Sequence, residues 1–137
     1  MVVSEEVAVL AVLDRFRLGW EALDAEAVLA CFANDPQIVV IGTDADEYWR
    51  GSDALLEPFR RMVGSFTDPV YRWVEPPSIH VEGDVAWADA RLDTSLTSDG
   101  QRLAVRMRTS WVLRRRSGWE IVQAHFSVAP AAPVAAY

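Results

Sequence analysis

Two titratable side chains stand among apolar residues in predicted β-strands, and either could transfer a proton. In the last predicted strand His125 would lie on the same face as Trp119 and Ile121. An imidazole titrates near neutral pH. Asp89 lies close to Trp87 in another apolar stretch and could act as an acid or a base. We therefore take His125 and Asp89 as candidate catalytic residues. The alternative for His125 is a structural or interfacial role, and one β-bulge would turn it to the other face of the sheet.

A row of polar side chains on a second predicted strand could bind an anionic group. Arg106, Arg108 and Ser110 alternate onto one face of that strand. The planar guanidinium of an arginine binds a carboxylate or an oxyanion through parallel hydrogen bonds. Arg108 and Ser110 are therefore candidate substrate-binding residues. The alternative is an exposed row whose arginines pair with acids of the neighbouring strand, such as Asp89 and Asp93.

The sequence offers no residue set typical of a metal or cofactor site. His80 and His125 are scattered, and the single Cys31 falls in an apolar helical pattern. Acidic residues crowd the loop at 44–47, but they lack the alternate spacing and the glycine of a calcium loop. No glycine-rich phosphate loop is present. We expect neither a metal nor a cofactor.

Composition limits the partners that the protein can have. The chain has 137 residues, 51% of them hydrophobic, which suits a single packed domain. Its net charge of −7 argues against nucleic acid, whose phosphates it would repel. No apolar run approaches the roughly 20 residues of a membrane span, and no signal peptide is visible. We expect a cytoplasmic protein with no nucleic-acid or membrane partner.

Three helices are predicted in the first half of the chain. Ser4 is a suitable N-cap for the first helix, and Asp24 for a shorter second one. A third helix is predicted to begin near 52–53 and to close at Asp68-Pro69. Because Pro58 lies inside this segment, the helix must either kink there or begin later.

The second half of the chain has the alternation and turn residues of long antiparallel strands. The predicted strands cover 37–41, 48–50, 70–81, 85–97, 102–114 and 119–128. Such a sheet can cover one face with the helices, but its other face also carries apolar residues. We therefore expect a homodimer that forms through the outer face of the sheet. Residues 129–137 are expected to form a flexible tail.

Two segments carry a resemblance to a known family. The stretch Ile41-Gly42-Thr43-Asp44-Ala45-Asp46-Glu47-Tyr48-Trp49-Arg50-Gly51 resembles the GTD-x-x-E-x-W-x-G segment of SnoaL-like domains, members of the nuclear transport factor 2-like superfamily. The end of the chain, Arg108-Thr109-Ser110 followed by the stretch from Gly118 to Ser127, resembles their closing pair of strands. The same ending resembles the association domain of calcium/calmodulin-dependent protein kinase II. The resemblance implies one α+β domain over 1–128: three N-terminal helices on a strongly curved antiparallel or mixed sheet, a cone-like α+β barrel that encloses a pocket.

The catalytic positions of ketosteroid isomerase, an enzyme of this fold, do not carry their functional groups here. Its oxyanion-hole tyrosine corresponds to Phe16, which has no hydroxyl. Its general base falls at Val40 or Ile41, and its protonated aspartate near Thr109 or Ser110. Without the base and the strong donor, ketosteroid isomerisation is not expected.

The resemblance implies a pocket for a small apolar ligand. The expected substrate-binding residues are Phe16, Trp20, Trp49, Phe59, Arg108, Ser110, Trp111 and Phe126. An enzyme with such a pocket would carry out acid/base chemistry without a cofactor, as an isomerase, cyclase or dehydratase, on an apolar carbonyl or carboxylate compound. The alternative is a non-catalytic dimerisation, assembly or ligand-sensing domain.

Overall fold

The computed structural model of this chain describes residues 4–130. Within that range the elements are α1 Glu5–Glu21, α2 Ala25–Leu29, β1 Val39–Ile41, β2 Tyr48–Arg50, a 3-10 turn Ser52–Ala54, α3 Leu56–Val63, β3 Thr67–Trp73, β4 Ser78–Glu82, β5 Val85–Ser98, β6 Gln101–Arg115 and β7 Trp119–Val128. The predicted α+β class is confirmed. From residue 131 onward, the expected C-terminal tail lies outside the described residues.

The two predicted N-caps are confirmed. The Ser4 hydroxyl accepts a hydrogen bond from the Val7 amide at 3.3 Å, and the Asp24 carboxylate accepts one from the Ala27 amide at 3.0 Å. Each bond satisfies an amide that has no partner within its own helix. None of the helices in the described range is long and apolar enough to cross a membrane.

The third helix begins later than residue 53, which is one of the two outcomes expected from Pro58. The 3-10 turn precedes it, and Pro58 lies in the first turn of α3. The N–H groups of a first turn have no partner within the helix, so the missing N–H of proline costs no hydrogen bond there. The predicted end at Asp68-Pro69 is wrong. The helix ends at Val63, and both residues belong to β3, where the pairing with β5 is interrupted and Asp68 has a φ of +51°.

The strands form one open, mixed sheet in the order β2-β1-β7-β6-β5-β3. β1 runs parallel to β7, and the other neighbouring pairs are antiparallel. The strand predicted over 70–81 is two strands, β3 and β4, because Pro76 and Pro77 interrupt it. Both pair with the same edge of β5.

A β-bulge in β7 decides which side chains face the helices. The pairing between β7 and β6 shifts by one residue at Val122. Before the shift Trp119 and Ile121 are buried; after it Ala124 is buried and His125 is exposed. The odd-numbered residues therefore face the helices in the first half of β7, and the even-numbered residues do so in the second half.

Gly19 sets the distance between α1 and α2. A Cβ at this position would lie 2.9 Å from Val28 Cγ2 and 3.1 Å from the Val28 amide nitrogen. Because both distances are below normal van der Waals contact, only glycine allows the two helices to pack this closely.

We expect Gly19→Ala to lower the free energy of unfolding by about 1 kcal/mol, measured by urea denaturation. Overpacking should outweigh the roughly 1 kcal/mol that alanine gains in helix propensity. Gly118→Ala is the control, since its added Cβ meets nothing within 4 Å. A more stable Gly19→Ala protein would contradict the close packing of α1 on α2.

Candidate ligand pocket

An apolar pocket lies between the helices and the inner face of the sheet, the face that packs on them. It is lined by Phe16, Arg17, Trp20, Val40, Gly42, Thr43, Glu47, Trp49, Phe59, Met62, Phe66, Tyr71, Leu92, Met107 and Phe126. Its cavity volume is about 110 Å³, and it opens to solvent on one side. A dry apolar cavity of about 150 Å³ can hold benzene, so the enclosed part suits about one aromatic ring.

Aromatic rings make most of the pocket wall and support one another. Phe16 stacks on Phe126 with ring centroids 5.8 Å apart and an interplanar angle of 5°. Trp20 meets Phe59 edge to face at 5.1 Å, and Trp49 meets Phe59 in the same way at 6.4 Å. Edge-to-face and offset pairs are the favoured aromatic geometries, so the wall is held in shape without a ligand.

Arg17 brings a guanidinium to this apolar wall. Its Nη1 donates to the backbone carbonyl of Tyr71 at 3.0 Å, and its Nη2 lies 3.5 Å from Asp14 Oδ1. The guanidinium carbon lies 5.8 Å from the ring centroid of Trp73, whose indole N–H also donates to Asp14 at 2.9 Å. Arg17 therefore joins α1 to β3 and is fixed in position.

Tyr71 faces the pocket from β3. Its amide donates to Glu21 at 3.0 Å, so α1 also fixes the backbone here. Burial, and to a smaller extent the nearby Glu21 carboxylate, raises the pKa of the Tyr71 phenol to about 12. The hydroxyl therefore stays protonated at neutral pH and is available as a hydrogen-bond donor.

Glu47 forms part of the rim on the other side. Its Oε1 accepts a hydrogen bond from the Asp44 amide at 2.9 Å. The side chain folds over Gly42, where a Cβ would lie 2.4 Å from Glu47 Oε1. The glycine therefore allows this position of the carboxylate. Within the described residues, Glu47 is the one carboxylate that lines the pocket.

The structure brings five of the ten predicted site residues into the pocket lining. They are Phe16, Trp20, Trp49, Phe59 and Phe126. Trp111 does not reach the lining, because it is 1% exposed and packs behind Phe16 and Phe126. That the five residues bind a ligand stays a prediction.

The four remaining residues lie on the outer face of the sheet, so the expectation that they reach the pocket needs correction. Asp89, Arg108, Ser110 and His125 are all exposed. In β5 and β6 the buried residues alternate with them, and in β7 the bulge turns His125 outward. Arg108 donates instead to the Ser127 hydroxyl at 3.0 Å.

Arg106 agrees with the alternative interpretation, in which the arginines of the polar row are exposed and pair with acids of the neighbouring strand. It forms two hydrogen bonds with Asp93, of 2.8 and 3.1 Å, across the outer face. The carboxylate raises the pKa of Arg106, and the guanidinium lowers the pKa of Asp93. Both side chains are about half exposed, so the pair contributes little to stability.

Sequence reasoning missed the polar residues of the lining, among them Arg17, Tyr71 and Glu47. Arg17 lies next to Phe16 at the border of the apolar stripe of α1, where a polar residue normally faces water. Tyr71 resembles any strand aromatic. Glu47 had a signal, because it is the glutamate of the GTD-x-x-E segment that resembles SnoaL-like domains.

No group of three or more His, Cys, Asp or Glu side chains within residues 4–130 is arranged to hold a metal ion. Several buried polar atoms in this range nevertheless have no hydrogen-bond partner. On the inner side of the sheet they are Thr94 Oγ1, Thr109 Oγ1 and Trp111 Nε1, and on α1 Arg17 Nε. Such atoms need a partner, because an unpaired buried donor is unfavourable.

Several solved structures share this fold. A nuclear transport factor 2-like superfamily protein from Salmonella enterica is 23% identical, with a TM-score of 0.82 over 94% of both chains. A protein proposed to be a dehydratase, from Streptomyces avermitilis, is 15% identical, with a TM-score of 0.80 over 93% of this chain and 98% of its own. A proposed calcium/calmodulin-dependent protein kinase II association domain from Xanthomonas campestris is 20% identical, with a TM-score of 0.78 over 95% and 91%.

At these identities the solved structures establish the fold, and none of the curated proteins matches the chain. The family comparison goes further. The SnoaL-like domain matches residues 9–132, which is most of the chain. This protein is therefore a member of the SnoaL-like domain family.

Proposed function

We propose that this protein binds a small apolar carbonyl or carboxylate compound, with an aromatic ring or a group of similar size inside the pocket. The observation that carries the proposal is the wall of stacked and edge-to-face aromatic rings around an open cavity of about 110 Å³. A concave apolar site with a few polar groups is the usual form of a small-molecule site.

We further propose that, if the ligand is a substrate, Glu47 transfers the proton. A carboxylate on the pocket rim can remove a proton next to a carbonyl group and return it elsewhere, as isomerisation, cyclisation and dehydration require. His125 and Asp89 face away from the pocket, which leaves this role to Glu47. Such chemistry needs no cofactor.

We expect Trp49→Ala to weaken binding of an aromatic ketone such as acetophenone about tenfold, measured by titration calorimetry. Trp49 lies at the rim and is only partly buried, so its removal should reduce ligand contact more than it disturbs the core. The control is Trp87→Ala, since Trp87 lies on the outer face and is 43% exposed. Equal losses in the two variants would contradict the proposed pocket.

If a substrate is identified, we expect Glu47→Gln to lower kcat by about 10²–10⁴-fold with little change in ligand affinity. The amide keeps the shape of the side chain but cannot accept the proton. Asp46→Asn, in the same loop and exposed, is the matched control and should leave kcat unchanged. Full turnover by Glu47→Gln would exclude Glu47 as the catalytic base.

A second candidate function is assembly, and the outer face of the sheet supports it. Tyr48 is 58% exposed, Val85 45% and Trp87 43%. Trp87 stacks on His80 at 5.7 Å, which gives a flat aromatic surface. Because the kinase association domain named above has a similar fold, we propose a homodimer that buries this face.

We expect native mass spectrometry to find a dimer for the native protein and a monomer for Trp87→Glu, because a buried carboxylate would destabilise the interface. Leu18→Glu is the control, since Leu18 is a similarly exposed apolar residue on α1, at 48%. A native monomer, or an intact Trp87→Glu dimer, would overturn the proposed interface.

A further inference from the structure

One end of the pocket concentrates its hydrogen-bond donors. Arg17 and Tyr71 both line it and are joined by the 3.0 Å bond from Arg17 Nη1 to the Tyr71 carbonyl. Thr94 pairs with Tyr71 across β3 and β5, so its side chain lies on the same face of the sheet. The Arg17 guanidinium and the Tyr71 side chain therefore belong to one part of the lining, and Thr94 lies beside Tyr71 on the same face of the sheet.

Two of these groups are buried without a protein partner. Arg17 Nε lies 3.5 Å from Asp14 Oδ1, but its N–H is not directed at that oxygen and makes no hydrogen bond. Thr94 Oγ1 is also unpaired, in a residue that is 6% exposed. The Tyr71 hydroxyl takes part in none of the side-chain hydrogen bonds that fix this region. The Arg17 and Tyr71 side chains line the pocket, so a ligand oxygen can approach them, whereas Thr94 lies behind the lining.

The surroundings hold the donors in place before any ligand binds. Trp73 stacks against the Arg17 guanidinium, and Asp14 accepts hydrogen bonds from both side chains. Glu21 lies 4.0 Å from Arg17 Nη1 and fixes the Tyr71 amide. Donors that are fixed in advance bind a developing or existing negative charge without reorganisation.

The two acids also determine what kind of donor Arg17 is. Asp14 and Glu21 together offset its positive charge, so the site has no excess cation that would attract any anion. Recognition then depends on the direction of the N–H and O–H groups. This favours a planar oxygen pair or a single oxyanion over a diffuse charge.

We infer that the pocket selects compounds carrying an oxyanion, either a carboxylate or a carbonyl oxygen that becomes an enolate, and that Arg17 and Tyr71 bind this oxygen. The inference rests on the proposed ligand-binding function and names its specificity residues. The strand order places β3 and the loop between β1 and β2 at opposite edges of the sheet. The ligand ring would therefore lie among the aromatic side chains, with its oxygen at Arg17 and Tyr71 and its far side towards Glu47.

The competing explanation is that Arg17 only ties α1 to β3. Its bonds to the Tyr71 carbonyl and to Asp14 would then account for its fixed orientation, with no role in ligand choice. The two explanations differ in one measurable quantity. A structural tie affects stability and the affinity for all ligands together, whereas a specificity residue changes the ratio between charged and neutral ligands.

The test measures that ratio by titration calorimetry with benzoate and benzamide at pH 7. The two probes have nearly the same shape, and only benzoate is anionic. We expect benzoate to bind the native protein at least tenfold more tightly. Tyr71→Phe, which removes one oxygen atom, should lower the ratio severalfold, because the lost hydrogen bond is stronger to a carboxylate than to the benzamide carbonyl. Arg17→Met should abolish the preference, and Arg17→Lys should restore part of it.

Arg61→Met is the matched control, because Arg61 is exposed on α3 and pairs only with Glu57 in the described structure. It should leave the ratio unchanged. Should Arg17→Met fail to fold, Tyr71→Phe decides the question. An unchanged ratio in Tyr71→Phe and Arg17→Lys, with both probes still bound, would overturn the inference but leave the proposed function standing. Failure of both probes and of neutral aromatic ketones to bind would overturn the proposed function and this inference with it.

Discussion

The structure depends on the packing of α1 against the inner face of the sheet, and Phe16 is the centre of that contact. Its ring meets those of Trp20, Phe32, Trp111 and Phe126 at centroid distances of 5.8 to 6.2 Å. The same side chain is 2% exposed and also lines the pocket. Core and pocket are therefore one aromatic cluster, because the curved sheet leaves part of the helix face uncovered. A change that loosens the cluster would affect stability and ligand binding together.

The order of elements was predictable because each carries its own local signal. Ser4 and Asp24 cap their helices as expected, and glycine-containing turns mark the hairpins. The two failures have different causes. The single strand predicted over 70–81 overlooked Pro76 and Pro77, a local signal that interrupts a strand. At Val122 a single extra residue in β7 reverses the alternation, and no local pattern gives its position.

The difference between local signals and features that no local pattern gives also explains which site residues could be predicted. Phe16, Trp20 and Phe59 follow helical periodicity, so their inward direction could be predicted and is confirmed. His125 was expected in the pocket from the alternation of its strand, which the bulge in β7 reverses. Arg108 belongs to a polar row that lies on the outer face of the sheet. Arg17 was missed for a physical reason. A long side chain at the border of an apolar stripe can lie towards water or towards the pocket, and the Trp73 ring and the Tyr71 carbonyl that hold it inward belong to β3, far away in sequence.

The electrostatics of the whole chain constrain how an anionic ligand could be recognised. With a net charge of −7, the protein repels anions at distances larger than its own radius, most strongly at low ionic strength. Arg17 cannot reverse this, because Asp14 and Glu21 lie beside it. An oxyanion would therefore gain its affinity only after entering the pocket, from short directed hydrogen bonds in surroundings of low polarity, where each bond is stronger than in water. Selectivity at short range without attraction at long range favours a ligand whose apolar ring enters first, and the aromatic wall of this pocket provides the surface for that ring.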